Sequence, residues 1–371
     1  MRAAVTRGDT AGLSAVVMRK GVLAYAVSIG MRDIDAGKQM QADTVFRIYS
    51  MTKPVVSVAA MILLEEGRLL LSDPVSLHLP ELGGMGVFDP EQPDRPKPQA
   101  VEMSIADLMT HTAGLTYAGD PTDPVDRLYQ KARLFRRGEN IQDMVARLAG
   151  LPLKRQPGER FEYSIAHDVL GALVERAAGM RLGQFTAERI FAPLDMIDTA
   201  FEVPHDKVQR LATLYGPGEG GGLKILDEAS HRSRWAAPVT LEAGGESLVS
   251  TVPDFLRFCE MLRNGGELEG AHILSRKSVE LLTANRLSET QRSDLWMKGY
   301  GYGLGFGVLL DPALNANLGS RGEYTWAGSA STYFWVDPVE DMSSLLFLQL
   351  EPSSQLTIPR RFKALVHQAL A

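Results

Sequence analysis

Strand-like runs stand at both ends of this chain and are scarce between them. Gly12 to Val17 and Val22 to Ile29 are rich in β-branched and small apolar residues and flank Arg19-Lys20-Gly21, a pattern that predicts a hairpin with glycine in its turn. Tyr300 to Leu310, Thr332 to Val336 and Ser343 to Leu350 repeat the strand pattern in the C-terminal third. From about Asp73 to His231, proline-rich loops such as Asp89-Pro90 to Pro98 alternate with helical stretches at Ile105 to Met109, Ile141 to Leu148 and Asp168 to Ala178. A sheet opened by the N-terminus therefore has to be completed from the other end of the chain, around a helical insertion. The expected fold class is α+β. An antiparallel sheet flanked by helices, built from residues 1–75 and 231–371, meets a mostly helical domain over 76–230, with the active site in the cleft between them. The length of 371 residues agrees with two lobes.

Outside the middle third, Val55, Val56, Ala59, Met61, Ile62 and Leu63 recur at helical spacing until Gly67 supplies a stop, with Pro54 tolerable in the first turn. Phe255 to Leu262, Ser278 to Ala284 and Pro359 to Ala371 also predict helices, and Gly218-Glu219-Gly220-Gly221-Gly222 predicts a flexible loop.

Several function classes are excluded early. A net charge of -6 and the lack of a long basic run argue against nucleic acid as a partner. No run approaches the roughly 20 apolar residues needed to cross a bilayer, since Leu63-Leu64-Glu65-Glu66-Gly67 ends the best candidate. Arg7 and Asp9 interrupt the N-terminus before an apolar signal region can form. The single cysteine, Cys259, cannot close an intramolecular disulfide and reads as a buried, inert thiol on a helix. Together these features point to a cytoplasmic location. The seven histidines show no ligand spacing, so neither a metal nor another cofactor is expected. No Gly-x-Ser-x-Gly elbow occurs, which counts against an α/β-hydrolase.

The most informative segment is Phe46-Arg47-Ile48-Tyr49-Ser50-Met51-Thr52-Lys53. Ser50 falls where extended chain passes into helix, and Lys53, three residues on, shares its helical face. A serine hydroxyl attacks carbonyls poorly until a base takes its proton. Lys53 can be that base if burial or a neighbouring cation lowers its ammonium pKa, and amides at a helix start can hold a developing oxyanion. Tyr163, in a loop after Pro157, can relay a proton when held between two cationic groups. Tyr324-Thr325-Trp326-Ala327-Gly328-Ser329 precedes an aromatic strand; Gly328 there allows close backbone approach, and the next amide can complete an oxyanion hole.

These segments resemble the serine β-lactamase and penicillin-binding-protein superfamily in its class C-like branch, and most closely the family VIII carboxylesterases. Ser50-Met51-Thr52-Lys53 matches the Ser-x-x-Lys box, Tyr163-Ser164-Ile165 falls where Tyr-x-Asn belongs, and Trp326-Ala327-Gly328 takes the place of Lys-Thr-Gly as the esterases' Trp-x-Gly variant. Flanking segments agree along almost the whole chain, among them Leu108 to Leu115, Pro193 to Thr199, Leu248 to Thr251 and Tyr302 to Phe306. The resemblance implies a β-lactamase/transpeptidase-like fold. It makes Ser50 the acylated nucleophile, Lys53 and Tyr163 the proton-handling pair, and the N–H groups of Ser50 and Ser329 the oxyanion hole. Trp326, Ala327, Gly328 and Ile165 become substrate-binding positions.

The departures are informative. Ile165 replaces an asparagine that contacts a substrate amide, and Trp326 replaces a lysine that attracts a substrate carboxylate. Losing that desolvated contact weakens capture of anionic β-lactams by orders of magnitude. The expected function is hydrolysis of short-chain carboxylic esters, small-molecule substrates, through a Ser50 acyl-enzyme. The alternatives are a weak class C-like β-lactamase or penicillin-interactive enzyme, and an acyltransferase using the same acyl-enzyme. His111 reads as a loop histidine tying backbone together, and Glu246 as facing water rather than tightening a loop near the site.

Overall fold

The computed structural model describes residues 1–218, 220, 222–353 and 357–370. A short helix α1 (Arg2–Thr6) leads into the expected hairpin of β1 (Gly12–Arg19) and β2 (Val22–Asp33). Lys20 and Gly21 both have positive φ, 52° and 72°, the geometry a two-residue hairpin loop requires. A two-residue strand β3 (Lys38–Gln39) pairs with β2, and β4 (Phe46–Arg47) follows. One 3-10 turn, Tyr49–Met51, then runs directly into α2 (Thr52–Glu65). Every residue of α2 from Thr52 to Leu63 is buried, so this helix lies within the molecule rather than on its surface.

The stretch expected to be mostly helical supplies α3 (Ile105–Thr110), α4 (Pro124–Ala132), α5 (Ile141–Leu148), α6 (Ala166–Ala178) and α7 (Leu182–Thr186). Ser104 with Asp107 and Asn140 with Asp143 form capping boxes on α3 and α5, and Asp123 caps α4. The same stretch also holds an unforeseen ribbon, β5 (Leu214–Pro217) and β6 (Leu223–Asp227). Its turn is the glycine-rich loop, closed by a 2.7 Å bond from the Gly218 N–H to the Gly222 carbonyl; Glu219 and Gly221 lie outside the described residues.

Beyond it come β7 (Val249–Ser250), which pairs with β4, then α8 (Val252–Arg263), the small β8 (Glu267–Leu268) and β9 (Ala271–His272) ribbon, α9 (Arg276–Leu282) and α10 (Glu289–Arg292). The segment Tyr300 to Leu310, expected as one strand, is two: β10 (Tyr300–Tyr302) and β11 (Gly307–Leu309) fold back on each other. After α11 (Pro312–Asn315) come β12 (Tyr324–Ala327), β13 (Tyr333–Asp337) and β14 (Met342–Phe347). The chain closes with α12 (Ile358–Gln368); Ala371, included in the expected helix, lies outside the described residues.

The eight-stranded antiparallel sheet runs β10-β11-β12-β13-β14-β1-β2-β3, so the N-terminal hairpin docks on the last strand, with Ser14 opposite Phe347. Both faces of its centre are covered. Leu13, Ala15, Val17 and Trp335 pack against α12, while Val16, Phe334 and Phe347 join the main core with α2 and α8. Double coverage explains why β1 reads as a continuous apolar run instead of an alternation. The main core is one cluster that includes Phe46, the buried face of α6 and Phe347, so helices and sheet share it. Within it α2 packs on α6 and α7.

Candidate active site

Phe46 and Arg47 pair with Ser250 and Val249 across β4 and β7, which fixes the approach to Ser50. The Arg47 guanidinium is fully buried. It donates to the Ala212 carbonyl at 2.5 Å and to Gln349 Oε1 at 3.2 Å, and it forms an ion pair with Asp227. Tyr49 then adopts φ 44°, a left-handed conformation rare and strained for a bulky residue, and its ring stacks edge-on against Trp235 at 5.3 Å. This turn ends the extended segment and starts the helix at Ser50.

Lys53 Nζ lies 3.0 Å from Ser50 Oγ and donates to the Gly245 carbonyl at 2.8 Å. The lysine is completely buried, with its Nζ 4.6 Å from the centroid of the Tyr163 ring and 5.3 Å from that of Tyr117. Tyr163 therefore has Lys53 on one side. Trp326 and Trp296 also pack on its ring, at 5.6 and 5.3 Å between ring centroids, so the two-cation setting named as a condition for the relay has no second cation among these ring contacts. The reason is Trp326 itself, an indole where the resemblance would place a lysine.

Trp326 is buried, and its ring also packs on Tyr302 at 5.0 Å. Ala327, the next residue of β12, is exposed; strand alternation puts its methyl on the opposite face from Trp326. Gly328 makes the close approach that sequence reasoning expected, but to backbone of this chain: a Cβ there would overlap the Ile48 carbonyl oxygen and Thr332 Oγ1. This contact seats the end of β12 against the turn carrying Ser50. Ser329 follows Gly328 directly and its carbonyl accepts the Ser353 N–H at 3.0 Å, while Ser50 is the middle residue of the 3-10 turn. Ile165 is buried at the start of α6 and lines a cavity together with Tyr117.

Three contributors escaped the sequence. The first is Gly245, whose N–H donates to Asp168 Oδ1 at 2.8 Å while its carbonyl holds Lys53. The second is Asp168, fully buried in the first turn of α6, where an acidic residue would ordinarily be taken as complementing the helix dipole. Burial pushes its carboxyl up to about 7, opposed by the charge of Lys53 and assisted by Glu246. The third is Trp296, exposed on the segment after α10. That segment is tied to the Tyr163 loop by the bidentate Arg160–Asp294 pair, and α10 before it by Gln291 Nε2 donating to the Gly158 carbonyl at 2.6 Å.

His111 ties backbone as expected. Its Nδ1 accepts the Ser164 N–H at 3.3 Å, and its ring packs on Tyr163 and His167 at 4.7 and 4.8 Å. Burial, then neighbouring charge, holds both imidazoles well below the usual range, so they are neutral. Glu246 is half-buried and lines a cavity of about 390 Å³ with Trp235 and Ser247. On the α12 face of the sheet, ligand atoms of Glu323, Asp337 and His367 lie within 4.8 Å of one another, but the Lys363 ammonium already pairs with Glu323 there. No described helix is long and apolar enough to cross a membrane.

Comparison with known proteins places this geometry in context. The family model described as Beta-lactamase matches residues 1–368. Protein Rv1367c of Mycobacterium tuberculosis is 39% identical over 353 residues, spanning 92% of this chain and 86% of that protein. Esterase EstB of Burkholderia gladioli is 32% identical over 356 residues, spanning 90% and 85%. The solved structure of EstCE1, described as a hydrolase with promiscuous acyltransferase activity, superposes with a TM-score of 0.85 at 26% identity and covers 98% of this chain and 95% of that one. The antiparallel sheet with its helices is thus the β-lactamase/transpeptidase-like fold.

Proposed function

We propose that this chain, which belongs to the Beta-lactamase family, hydrolyses short-chain carboxylic esters through an acyl-enzyme on Ser50, as a family VIII carboxylesterase. The observation that carries the reading is the buried Lys53 Nζ 3.0 Å from Ser50 Oγ, combined with the apolar Trp326 beside Tyr163. Ser50 Oγ attacks the ester carbonyl as its proton passes to the Lys53 and Tyr163 pair. The oxyanion is held by the Ser50 and Ser329 amides, and collapse expels the alcohol, which takes up the proton. Water then attacks the acyl group, giving its proton to the same pair, and the carboxylic acid leaves with Ser50 reprotonated. The aromatic wall of Tyr117, Tyr163, Trp296 and Trp326 suits neutral, apolar groups around the scissile bond. The 32% identity to an esterase supports this reading.

The test compares p-nitrophenyl butyrate with nitrocefin. Faster turnover of nitrocefin would sink the esterase reading. Ser50→Ala is expected to abolish turnover and covalent labelling by a phosphonate, detected as intact mass, while the fold persists. A second reading, acyl transfer to an alcohol, is favoured by the acyltransferase activity named for EstCE1. Product analysis with an added alcohol separates it, because an acyltransferase yields the new ester in preference to the acid. A cytoplasmic location belongs to the same proposal, supported by a lone cysteine that cannot close an intramolecular disulfide; recovery in an exported fraction would overturn it.

A further inference from the structure

We propose that the substrate carries an anionic group, a carboxylate or phosphate, at the end remote from the scissile ester, and that Arg133 and Arg137 bind it. This rests on the esterase reading and narrows it to a substrate class. A cavity of about 820 Å³ runs from Tyr117 and Ile165 to the segment joining α4 and α5. Tyr117 borders both this cavity and the site, its ring centroid lying 5.3 Å from Lys53 Nζ. Arg133, Arg136 and Arg137 line the cavity's outer end, and no acidic residue lines it.

The charges are not spent on the protein. Glu139, the acid of this segment, is taken by Arg147 at 2.5 Å and lies 3.9 Å from Arg136. Arg136 also donates to the Ala132 carbonyl at 3.0 Å. Among the described residues no carboxylate forms an ion pair with Arg133 or Arg137. The rim is held in shape, because the Leu134 carbonyl accepts from Arg147 Nη1 at 2.9 Å. On a chain of net charge -6, like charges at the mouth of a cavity with apolar walls concentrate an attractive field for anions there. The neighbouring cavity shares Arg136 and Arg137 but contains Glu246, which directs an anion to the first. Trp326 thus stands beside Tyr163 where the resemblance would place a lysine, while Arg133 and Arg137 line the cavity beyond Tyr117.

Two matched series test this. In the acyl series, p-nitrophenyl hexanoate and the p-nitrophenyl ester of monomethyl adipate are compared with p-nitrophenyl hydrogen adipate. In the alcohol series, hexyl acetate is compared with 6-acetoxyhexanoate and 6-acetoxyhexyl phosphate. We expect kcat/KM about five- to tenfold higher for the charged member of at least one series, the scale of a partly solvated charge-assisted contact. Arg137→Glu, and Arg133→Glu with Arg137→Glu, should abolish that preference and leave the neutral esters unchanged. Salt at about 1 M, where screening reaches ~3 Å, should abolish it in the unmodified protein. Charged esters no faster than neutral ones in both series, or a preference that survives Arg137→Glu, would overturn the proposal while leaving the esterase reading intact. Absence of turnover of every ester would overturn both.

Discussion

Replacing Gly245 by alanine tests how Lys53 is held. An added Cβ would lie 2.6 Å from Asp168 Oδ2, 2.9 Å from Asp168 Oδ1 and 2.8 Å from the Tyr117 hydroxyl. Ordinary van der Waals contact begins near 3.4 Å, so about 0.8 Å must be found. Asp168 cannot simply swing aside, because Oδ1 is bonded to the Gly245 N–H itself and the residue is fully buried. Nor can the segment settle toward α6, since even a Cβ at Gly244 would meet the His167 carbonyl oxygen at 2.3 Å and the Gly171 Cα at 3.3 Å. The Gly245 carbonyl should therefore move off Lys53, stretching the 2.8 Å bond beyond hydrogen-bonding range. Overpacking of this kind costs about 1–3 kcal/mol of stability, and displacing a reacting group by such a distance costs up to ~10²-fold in rate. We expect kcat on p-nitrophenyl butyrate to fall about 30- to 100-fold with KM within about threefold, and urea unfolding to show the stability loss. The double variant Gly245→Ala/Asp168→Ala removes the obstructing carboxylate and should recover part of the rate. A folded Gly245→Ala protein whose kcat stays within about threefold of the parent would refute the anchoring argument. Unchanged stability would refute the packing argument.

Four further outcomes follow from the same geometry. Asp168 has a folded pKa raised to about 7, so its contribution to stability is full below the unfolded carboxylate value and lost as pH rises through about 7. Asp168→Asn should therefore gain stability over the parent between pH 4.5 and 8, by up to ~4 kcal/mol; a pH-independent difference would contradict this. Asp227→Ala strands the buried Arg47 guanidinium and should cost about 3 kcal/mol in denaturant unfolding, and a loss below about 1 kcal/mol would show that the pair does not hold the approach to Ser50. Gly328→Ala, which drives β12 from Ile48, should lower kcat about 10²-fold through the misplaced Ser329 amide; near-normal kcat would remove that amide from the oxyanion hole. Cys259 is fully buried and its thiol is pushed well up by burial, so a disulfide reagent should titrate no thiol in the native protein and one after denaturation.

Elements whose signal is local were legible in the sequence. The hairpin of β1 and β2, the stop at Gly67 and the pairing of Ser50 with Lys53 each depend on neighbours within a few residues. Local chemistry misled in two places. β12 is only four residues long and buried except at Ala327, and the glycine turn that splits β10 from β11 looks like continuous strand.

By itself the sequence determined the fold class and pointed to the chemistry. Strand runs at both ends require a sheet closed across an insertion, and the ordered boxes around Ser50, Tyr163 and Trp326 identify a serine hydrolase family. Only the tertiary structure decided what surrounds that chemistry. Gly245 lies 192 positions from Lys53 in the chain, and its carbonyl reaches the lysine only because the segment packs onto α6. Asp168 looks like an ordinary residue in the first turn of a helix until burial raises its carboxyl. Gly328 is also held to glycine by a contact within the chain, because a Cβ there would meet the Ile48 carbonyl oxygen. Such roles arise from desolvation and close approach between distant segments, which no local spacing encodes.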